Sequence, residues 1–452
     1  MTTGRAPNHA LRQLLAEAQW TGAQLARAVN AVAAGQHLTT RCDRSSVWHW
    51  LAGTVPRPAL AALVAEALSR RLGRRVTPAQ AGLTTAFGTD PGPALPARGD
   101  IAGRLERLAA VPAHHRNAGS QPFSPAAQDL PRWGPVTGLS PTPGQPFPTG
   151  TRGSGHPAGT HDPLVLFSRH DAAFGGGLVS EVIRVYLATS VASWLRQGTR
   201  QATRRHLLTT AAQLSYLSAF AHYDSDLHGT AQQYYLVSAA LSREAGDRLG
   251  YALCARGMSV QALALGHPER ADLLAESAVA IGLPCAPPHQ RAFLLGQRAA
   301  TRAALGDRHA ARAHFGAAEE ALGRDAPADT PVGAFHGGSL AFQRAAIARA
   351  EGDFRTEAHQ LEMSLRHRPG REGRSRAVTT ALLAEARLDQ GHLDLACRAW
   401  RTFLASYPDL ESARARRHLQ TCVARLRPYG RNRSAAEVRD LARALQSGHR
   451  TP

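Results

Sequence analysis

The chain has 452 residues and a formal net charge of +19 at pH 7, so it is long enough for two or more domains with buried cores. All 53 basic residues are arginine, which excludes a P-loop and a pyridoxal phosphate site, because both need a lysine. The five cysteines are odd in number and form no Cys-x-x-Cys pair, as is typical of reduced thiols in a cytosolic protein.

The first informative element is a short amphipathic helix that begins at Thr21. The Thr21 hydroxyl can cap free amides, and Gln24, three residues later, completes a capping box. Leu25, Ala26 and Val29 then share one face. Because the amides at a helix N-terminus suit a phosphate, Thr21 and Gln24 are candidate DNA-backbone contacts.

A second short helix follows, capped by Asp43 and ended by Gly53. Val47, Trp50 and Leu51 have the i, i+3, i+4 spacing that buries one stripe of a helix. Two such helices in succession are the layout of a helix-turn-helix, whose second helix enters the major groove of DNA.

The register of the second helix turns five residues away from the core, all in its first two turns, where a recognition helix meets base edges. They are Arg44, Ser45, Ser46, Trp48 and His49. Arginine can pair with guanine through two hydrogen bonds, and serine and histidine can contact a base edge or a phosphate. We take Arg44, Ser45, Ser46 and His49 as candidate DNA contacts. The alternative is a small helical domain in which Arg44 and His49 are merely solvated.

Positive charge is concentrated in the same part of the chain, since residues 1–85 are more than twice as basic per residue as the remainder. This is the footprint expected of a phosphate-binding domain. Arg41 and Arg57 are the principal candidates for contacts to the DNA backbone. Further candidates are Arg70, Arg71, Arg74 and Arg75. For any single one of these arginines, a solvated basic face is an equal alternative.

Residues 84–163 contain half of the 28 prolines in the chain and many glycines. This composition predicts a flexible tether that lets the two flanking parts move independently. A short helix over residues 100–111 can interrupt the tether, because Ile101, Leu105 and Leu108 share a face.

Beyond residue 164 the pattern is helical and contains a degenerate repeat of about 40 residues. The aligned copies start at His267, Asp307, Asp353 and His392, with a fainter copy at Asp226. Each copy except the first in the chain, the faint one at Asp226, has a glycine before the turn, followed by apolar positions at fixed offsets. Such repeats predict a tetratricopeptide-like α-solenoid with a concave groove for a peptide, a partner protein or a small ligand.

Six residues near the start of the array are candidates for lining this groove: Tyr216, His222, Tyr223, His228, Tyr234 and Tyr235. The favoured alternative is that they pack between helices, because helically spaced aromatic residues usually lie in cores. The six-residue spacing of the two histidines does not favour a metal site. Gly175 to Gly177 suggest a phosphate loop, but no strand precedes them, so a hinge is the better interpretation.

Several stretches resemble a family of actinomycete regulators that join an N-terminal helix-turn-helix related to the Xre/Cro repressors to C-terminal tetratricopeptide-like repeats. The stretches are residues 8–30, 41–58, 63–83, 174–177 and the repeats beyond residue 200. The resemblance implies a DNA-binding regulator, and some members of the family restrain sporulation or antibiotic production. One departure is the long connection at residues 31–42, where a turn of three or four residues is usual.

Together these observations predict an all-α protein. Its segments are a helix-turn-helix domain over 1–83, a disordered Pro/Gly-rich linker over 84–163, a helical-repeat domain over 164–427, and a tail with a short helix over 428–452. The expected function is sequence-specific transcriptional regulation by a homodimer on double-stranded DNA, with a peptide, small-molecule effector or protein partner at the repeats. The alternative is an interaction scaffold whose N-terminal helices are a docking module.

No catalytic motif is present, so we expect neither an enzyme, nor a cofactor, nor a metal. The chain also shows no apolar run of about 18 residues and no signal peptide, which predicts a cytoplasmic protein without membrane contact.

Overall fold

The structure, a computed structural model, describes residues 7–35, 38, 40–72, 74, 76–84, 101–110, 122–125, 130, 133, 163–196, 201–323, 332 and 334–448. Within these ranges the chain forms helices, turns and loops and contains no strand, which confirms the all-α prediction for the described part. Two compact units are present. One is Met1–Leu139 with Ile183–Leu274, and the other is Ser140–Val182 with Ala275–Pro452.

The first unit opens with four helices that share one hydrophobic core. They are α1 (His9–Glu17), α2 (Gly22–Gly35), α3 (Arg44–Leu51) and α4 (Pro58–Leu72). Leu25, Val29 and Val47 are fully buried in this core, as the helical spacing predicts. Asn8 caps α1 by accepting from the Leu11 amide at 2.9 Å, and its own amide nitrogen donates to two carbonyls of the turn that follows α4. The N-terminal helices and that turn therefore form one module.

Helix α4 is buried almost all round, which a helix at the surface of a four-helix module would not be. Leu63, Val64 and Leu68 belong to the module core, whereas Ala65 and Glu66 are buried on another side of the helix. A second part of the first unit therefore covers α4.

That second part consists of helices further along the chain. They are α5 (Ile101–Ala110), the end of α7 (Gly176–Tyr186), a π-helical turn (Leu187–Val191), α8 (Ala192–Arg196), α9 (Gln201–Asp224), α10 (His228–Ala245), α11 (Arg248–Ala264) and the beginning of α12 (Pro268–Gly282). Helix α9 packs along α10, α10 packs on α11, and α5 packs on both α10 and the π-helical turn. The helix predicted over residues 100–111 is therefore present.

Part of the predicted tether is ordered against these helices. Phe123 is fully buried, and Ser124 exchanges two hydrogen bonds with the Gln232 side chain, at 3.1 and 2.7 Å. Arg104 on α5 donates to Gln233 at 2.7 Å. Most of residues 84–163 lie outside the described residues, but these contacts attach residues 101–110 and 122–125 to α10. The compact units consequently do not follow the predicted segment boundaries.

The second unit is a succession of helix hairpins. Its helices are α6 (Pro163–Phe174), the start of α7, the end of α12, α13 (Pro288–Ala304), α14 (Arg308–Leu322), α15 (Gly337–Glu351), α16 (Phe354–His367), α17 (Gly373–Asp389), α18 (Leu393–Ser406), α19 (Ala413–Leu426) and α20 (Arg433–Gly448). From α13 onward each odd-numbered helix packs on the next even-numbered one, and neighbouring hairpins also touch. Helix α20 lies in the predicted tail.

The glycines that precede the repeat turns have a backbone reason. Gly266, Gly306, Gly352 and Gly391 have φ between +78° and +82°, and an added Cβ would meet no atom within 4 Å at any of them. They are required for their left-handed conformation and not for space. The faint copy has Asp226 near the equivalent turn, with φ of +61°, which accounts for its weaker sequence signal.

The repeat positions that sequence alignment brought together are buried in every copy. Ala271, Ala311 and Ala396, each four residues after the start of its copy, are fully buried, and their small side chains let the paired helices approach closely. The copy that starts at Asp353 has Glu357 at this position. Its carboxylate accepts from Arg349 at 2.6 Å, and Arg349 also donates to Asp389 on α17 at 2.9 Å.

One stretch of the described residues, Gly176–Arg196, is long and apolar enough to cross a membrane by length and composition, whereas the sequence was expected to contain none. Ile183, Leu187 and Val191 from this stretch are buried inside the first unit. Arg184, in its middle, donates to the Ala109 carbonyl on α5 at 2.5 Å. This side of the stretch is therefore a protein core face.

Candidate nucleic-acid interface

The N-terminus of α2 is closed by the predicted capping box. The Thr21 backbone N–H donates to Gln24 Oε1 at 2.7 Å, and the Gln24 N–H donates to Thr21 Oγ1 at 3.3 Å. Thr21 Oγ1 also donates to the same Gln24 oxygen at 2.9 Å. Both side chains are exposed. Because the Gln24 oxygen is used inside the box, its Nε2 group is the part that can reach an external acceptor such as a phosphate.

Helix α3 begins with a second capping box, between Asp43 and Ser46. Asp43 Oδ1 accepts from the Ser46 N–H at 2.7 Å and from the Ser46 hydroxyl at 2.8 Å. These hydrogen bonds lower the pKa of Asp43 below its ordinary value, and the bond from the backbone N–H has the larger effect. Ser46, one of the predicted DNA contacts, is half-buried, and its hydroxyl is engaged in the cap of α3.

The remaining predicted residues of α3 form one accessible face. Arg44, Ser45 and His49 are exposed, while Val47 and Trp50 on the opposite side are buried in the module core. Gly53 ends the helix with φ of +95°, as predicted. A duplex approaching α3 would meet an arginine, a serine hydroxyl and an imidazole, which are hydrogen-bonding groups suited to base edges.

Two exposed side chains of α2 and α3 were not among the predicted contacts. Trp48 lies on the accessible face of α3 and is 63% exposed, with its ring centroid 5.0 Å from that of His49 and the two rings inclined at 75°. Arg27 lies one turn after Gln24 on α2 and is also exposed. The i, i+3 spacing from Gln24 was the available signal for Arg27. For Trp48 the signal was its position between Arg44 and His49.

The predicted backbone-contact arginines divide into two groups. Arg41 and Arg57 are exposed, as a phosphate contact requires. Arg70, Arg71 and Arg74 instead make contacts inside the module: Arg70 with Glu66 at 2.8 Å, Arg71 with the Ala18 carbonyl at 3.0 Å, and Arg74 with Glu17 at 2.5 Å. Arg75 lies outside the described residues.

The long connection between α2 and α3 ends in a fixed contact. Asn30 Nδ2 donates to the Cys42 carbonyl at 2.8 Å, and the Cys42 N–H donates back to Asn30 Oδ1 at 2.9 Å. The side chain of Asn30 on α2 therefore anchors the backbone immediately before the cap of α3. This pair, which we call the Asn30 clamp, positions α3 although the connection is longer than usual.

A buried contact that sequence analysis missed joins α4 to the repeat helices of the same unit. Glu66 is fully buried, and its Oε1 accepts from His267 Nε2 at 2.7 Å and from Arg70. The buried ring of Phe123 stacks on His267 with a centroid separation of 5.7 Å. His267 begins the turn into α12, so the four-helix module touches the repeat through its α4 side and leaves α3 accessible.

The aromatic residues proposed as groove lining are buried. Tyr223, Tyr234 and Tyr235 are each less than 5% exposed, and His222 and His228 are equally inaccessible. They pack between helices, as the favoured alternative holds. Within the ranges that the structure describes, no three histidine, cysteine or acidic side chains are grouped to bind a metal ion.

The glycines at 175–177 end one helix and begin the next. Gly175 has φ of +109°, and the amide of Leu178 donates to Glu411 Oε2 at 2.5 Å, while the Gly177 amide donates to the Glu411 carbonyl at 2.9 Å. A carboxylate of the protein itself therefore occupies the place that a phosphate would take. That this connection is a hinge stays a prediction.

Comparison with known protein families gives a match to the N-terminal part of the chain. Residues 11–84 match the family described as the SP15 N-terminal domain. No curated protein matches the chain. The matched range begins in α1 and includes α2, α3, α4 and the turn that follows α4, so the N-terminal module is similar to a known domain family.

Proposed function

We propose that this protein is a sequence-specific DNA-binding transcriptional regulator in which α3 is the recognition helix. The observation that carries the proposal is the accessible face of α3, where Arg44, Ser45 and His49 lie opposite the buried Val47 and Trp50. A helix with one side in a small core and a polar, basic side in solvent is what a helix-turn-helix presents to the major groove.

Backbone contacts supplement base contacts in this proposal. Arg41 and Arg57 are exposed on either side of α3 in the sequence, and the N-terminus of α2 with Thr21 and Gln24 supplies further donors. Phosphate contacts of this kind give affinity for any duplex and orient the recognition helix. Ser46 acts indirectly, because its hydroxyl holds the cap of α3.

The protein acts as a homodimer, because paired half-sites need paired recognition helices. The helical hairpins serve as a tetratricopeptide-like solenoid that dimerises or binds a peptide, a small effector or a partner protein. By its resemblance to the actinomycete regulators, the controlled process is differentiation or secondary metabolism. The protein is cytoplasmic, has no enzymatic activity and needs no cofactor.

The test is selection of duplexes from a random library by the full-length protein, followed by titration over a range of salt concentrations. A selected sequence should be retained with an affinity that falls as salt rises, with a log-log slope close to the number of phosphates neutralised. Absence of any retained duplex at low ionic strength would overturn the proposal.

A second function, an interaction scaffold, is favoured by one observation. The N-terminal module contacts the repeat helices through the buried Glu66 and His267, as a docking module would. In that case α3 would bind a protein partner and no duplex. A steep loss of duplex affinity with salt distinguishes the two functions, because only the DNA reader releases counterions from a polyanion.

A further inference from the structure

Trp48 is a large apolar side chain on the accessible face of α3, and hydrogen bonding does not account for its exposure there. It is 63% exposed in the middle of a helix whose other large apolar residues pack on the module core, Val47 and Trp50 fully and Leu51 partly buried. An indole is a large apolar surface, and exposing it to water is unfavourable unless a partner covers it. The neighbouring Arg44, Ser45 and His49 are polar, so Trp48, which has the His49 ring beside it, is an apolar group in a hydrogen-bonding face.

The charge around Trp48 indicates the kind of partner. Arg41 and Arg44 are exposed nearby in the sequence, and the acidic residue closest in sequence, Asp43, has its carboxylate engaged in the helix cap. This setting is complementary to a polyanion. The major groove of DNA combines phosphates at its edges with one apolar group on the bases, the C5-methyl group of thymine.

We propose that Trp48 reads thymine by contacting its methyl group, and that Arg44 and Trp48 together set the sequence of the half-site. This inference rests on the proposed function. Arg44 and Trp48 are four residues apart on one helix, which places them about 6 Å apart along the helix axis. Base pairs are about 3.4 Å apart, so a helix lying in the groove places the two side chains roughly two base pairs apart or closer. The half-site should therefore contain a guanine and a thymine within that separation.

The contact can be isolated chemically, because deoxyuridine differs from thymidine only in lacking the methyl group. The probe is the duplex selected from random DNA by the full-length protein, resynthesised with deoxyuridine at one thymine position at a time. At the position that Trp48 contacts, the wild-type protein should lose about fourfold in affinity, which corresponds to about 0.8 kcal/mol for one methyl group. At the other thymines the loss should be absent.

The same duplexes are then titrated with Trp48→Ala, Trp48→Phe and the control Trp194→Ala. Trp194 is a partly exposed tryptophan on α8, outside the four-helix module, so its removal should keep the full deoxyuridine effect. Trp48→Ala should bind the thymine and uracil duplexes equally, and Trp48→Phe should keep part of the difference.

Each outcome decides a different claim. A wild-type protein that selects a sequence but shows no deoxyuridine effect, or a Trp48→Ala variant that keeps the effect, overturns the role of Trp48 and leaves the proposed function standing. A protein that retains no duplex overturns the proposed function and this inference with it. A misfolded Trp48→Ala variant is recognised by loss of helical circular dichroism, and Trp48→Phe together with the wild-type deoxyuridine result then decides.

Discussion

The contact between Glu66 and His267 predicts that one imidazole holds the N-terminal module on the repeat helices. The change is His267→Ala, which removes the 2.7 Å hydrogen bond to a fully buried carboxylate and the stacking partner of Phe123. A hydrogen bond to a charged group contributes about 1.5 to 3 kcal/mol, and an aromatic pair adds about 0.5 to 1.5 kcal/mol. Arg70 still pairs with Glu66, so we expect a loss of about 2 to 4 kcal/mol, within or slightly below the range for a broken buried pair.

Amide hydrogen exchange measures the effect locally. The free energy of opening of α4 amides should fall in His267→Ala, while amides of α17 to α20 in the other unit should be unchanged. The matched control is His392→Ala, since His392 follows Gly391 at the same repeat position as His267 and is exposed. We expect a change within about 0.5 kcal/mol for this surface residue.

A double-mutant cycle separates the pair from its surroundings. Glu66→Ala, His267→Ala and the double variant should give a coupling free energy of about 1.5 to 3 kcal/mol, because the two side chains are in direct contact. Amides of α4 that are as well protected from exchange in His267→Ala as in His392→Ala would refute the role of this contact in holding the module. A cycle that gives no coupling free energy would refute it too.

Three further outcomes are expected. Gly306→Ala should destabilise the protein by about 1 kcal/mol, because alanine is strained at φ of +81°. Gly316→Ala, inside α14 with open space around it, should stabilise the protein by about 0.5 to 1 kcal/mol. Thermal unfolding measures both, and two variants that shift stability in the same direction would contradict this reasoning. Asp43→Ala should destabilise α3, because the cap hydrogen bonds to Ser46 are lost, while Asp43→Asn keeps the cap at neutral pH. The folded-state pKa of Asp43 is lowered, so the stabilisation of the folded protein by its carboxylate is present above roughly pH 4 and is lost as pH falls through the folded pKa. Acid titration of the wild type and of Asp43→Asn, followed by circular dichroism, checks this. Arg44→Ala should cost about 1 to 3 kcal/mol at one base position of the selected duplex, and Arg57→Ala should weaken selected and random duplexes alike; equal effects of both variants on both duplexes would remove Arg44 from base recognition.

Local features of this fold could be predicted from the sequence because their causes lie within a few residues. The capping box of α2 and the Asp43 cap of α3 need only a short polar pattern, and both are present, whereas the part that Ser46 takes in the α3 cap was not predicted. The buried stripe of α3 follows from helical spacing, and the glycines before the repeat turns follow from the left-handed conformation that the turn requires.

Contacts between distant parts of the chain could not be predicted in the same way. Glu66 has no local sign that its partner is His267, 201 residues away, and Phe123 lies in a segment whose composition is typical of disorder. The N-terminal module carries a net excess of arginine over acidic residues, yet two of the arginines predicted to contact phosphate, Arg70 and Arg74, are paired with acids of the module itself. Counting charges gives the field of a domain, whereas the individual phosphate contacts depend on which charges are left unpaired.

The Asn30 clamp separates the placement of the recognition helix from the length of chain that leads to it. Its two hydrogen bonds fix the backbone at Cys42 against α2, so the start of α3 is defined by a side chain and not by the loop. A change in the length of chain between α2 and Cys42 would then leave the start of α3 in place. Loss of the Asn30 amide would instead release the backbone before α3, while Val47 and Trp50 still hold the helix on the core, so within such a module this asparagine reports on the placement of the helix N-terminus more directly than the spacing between the helices does.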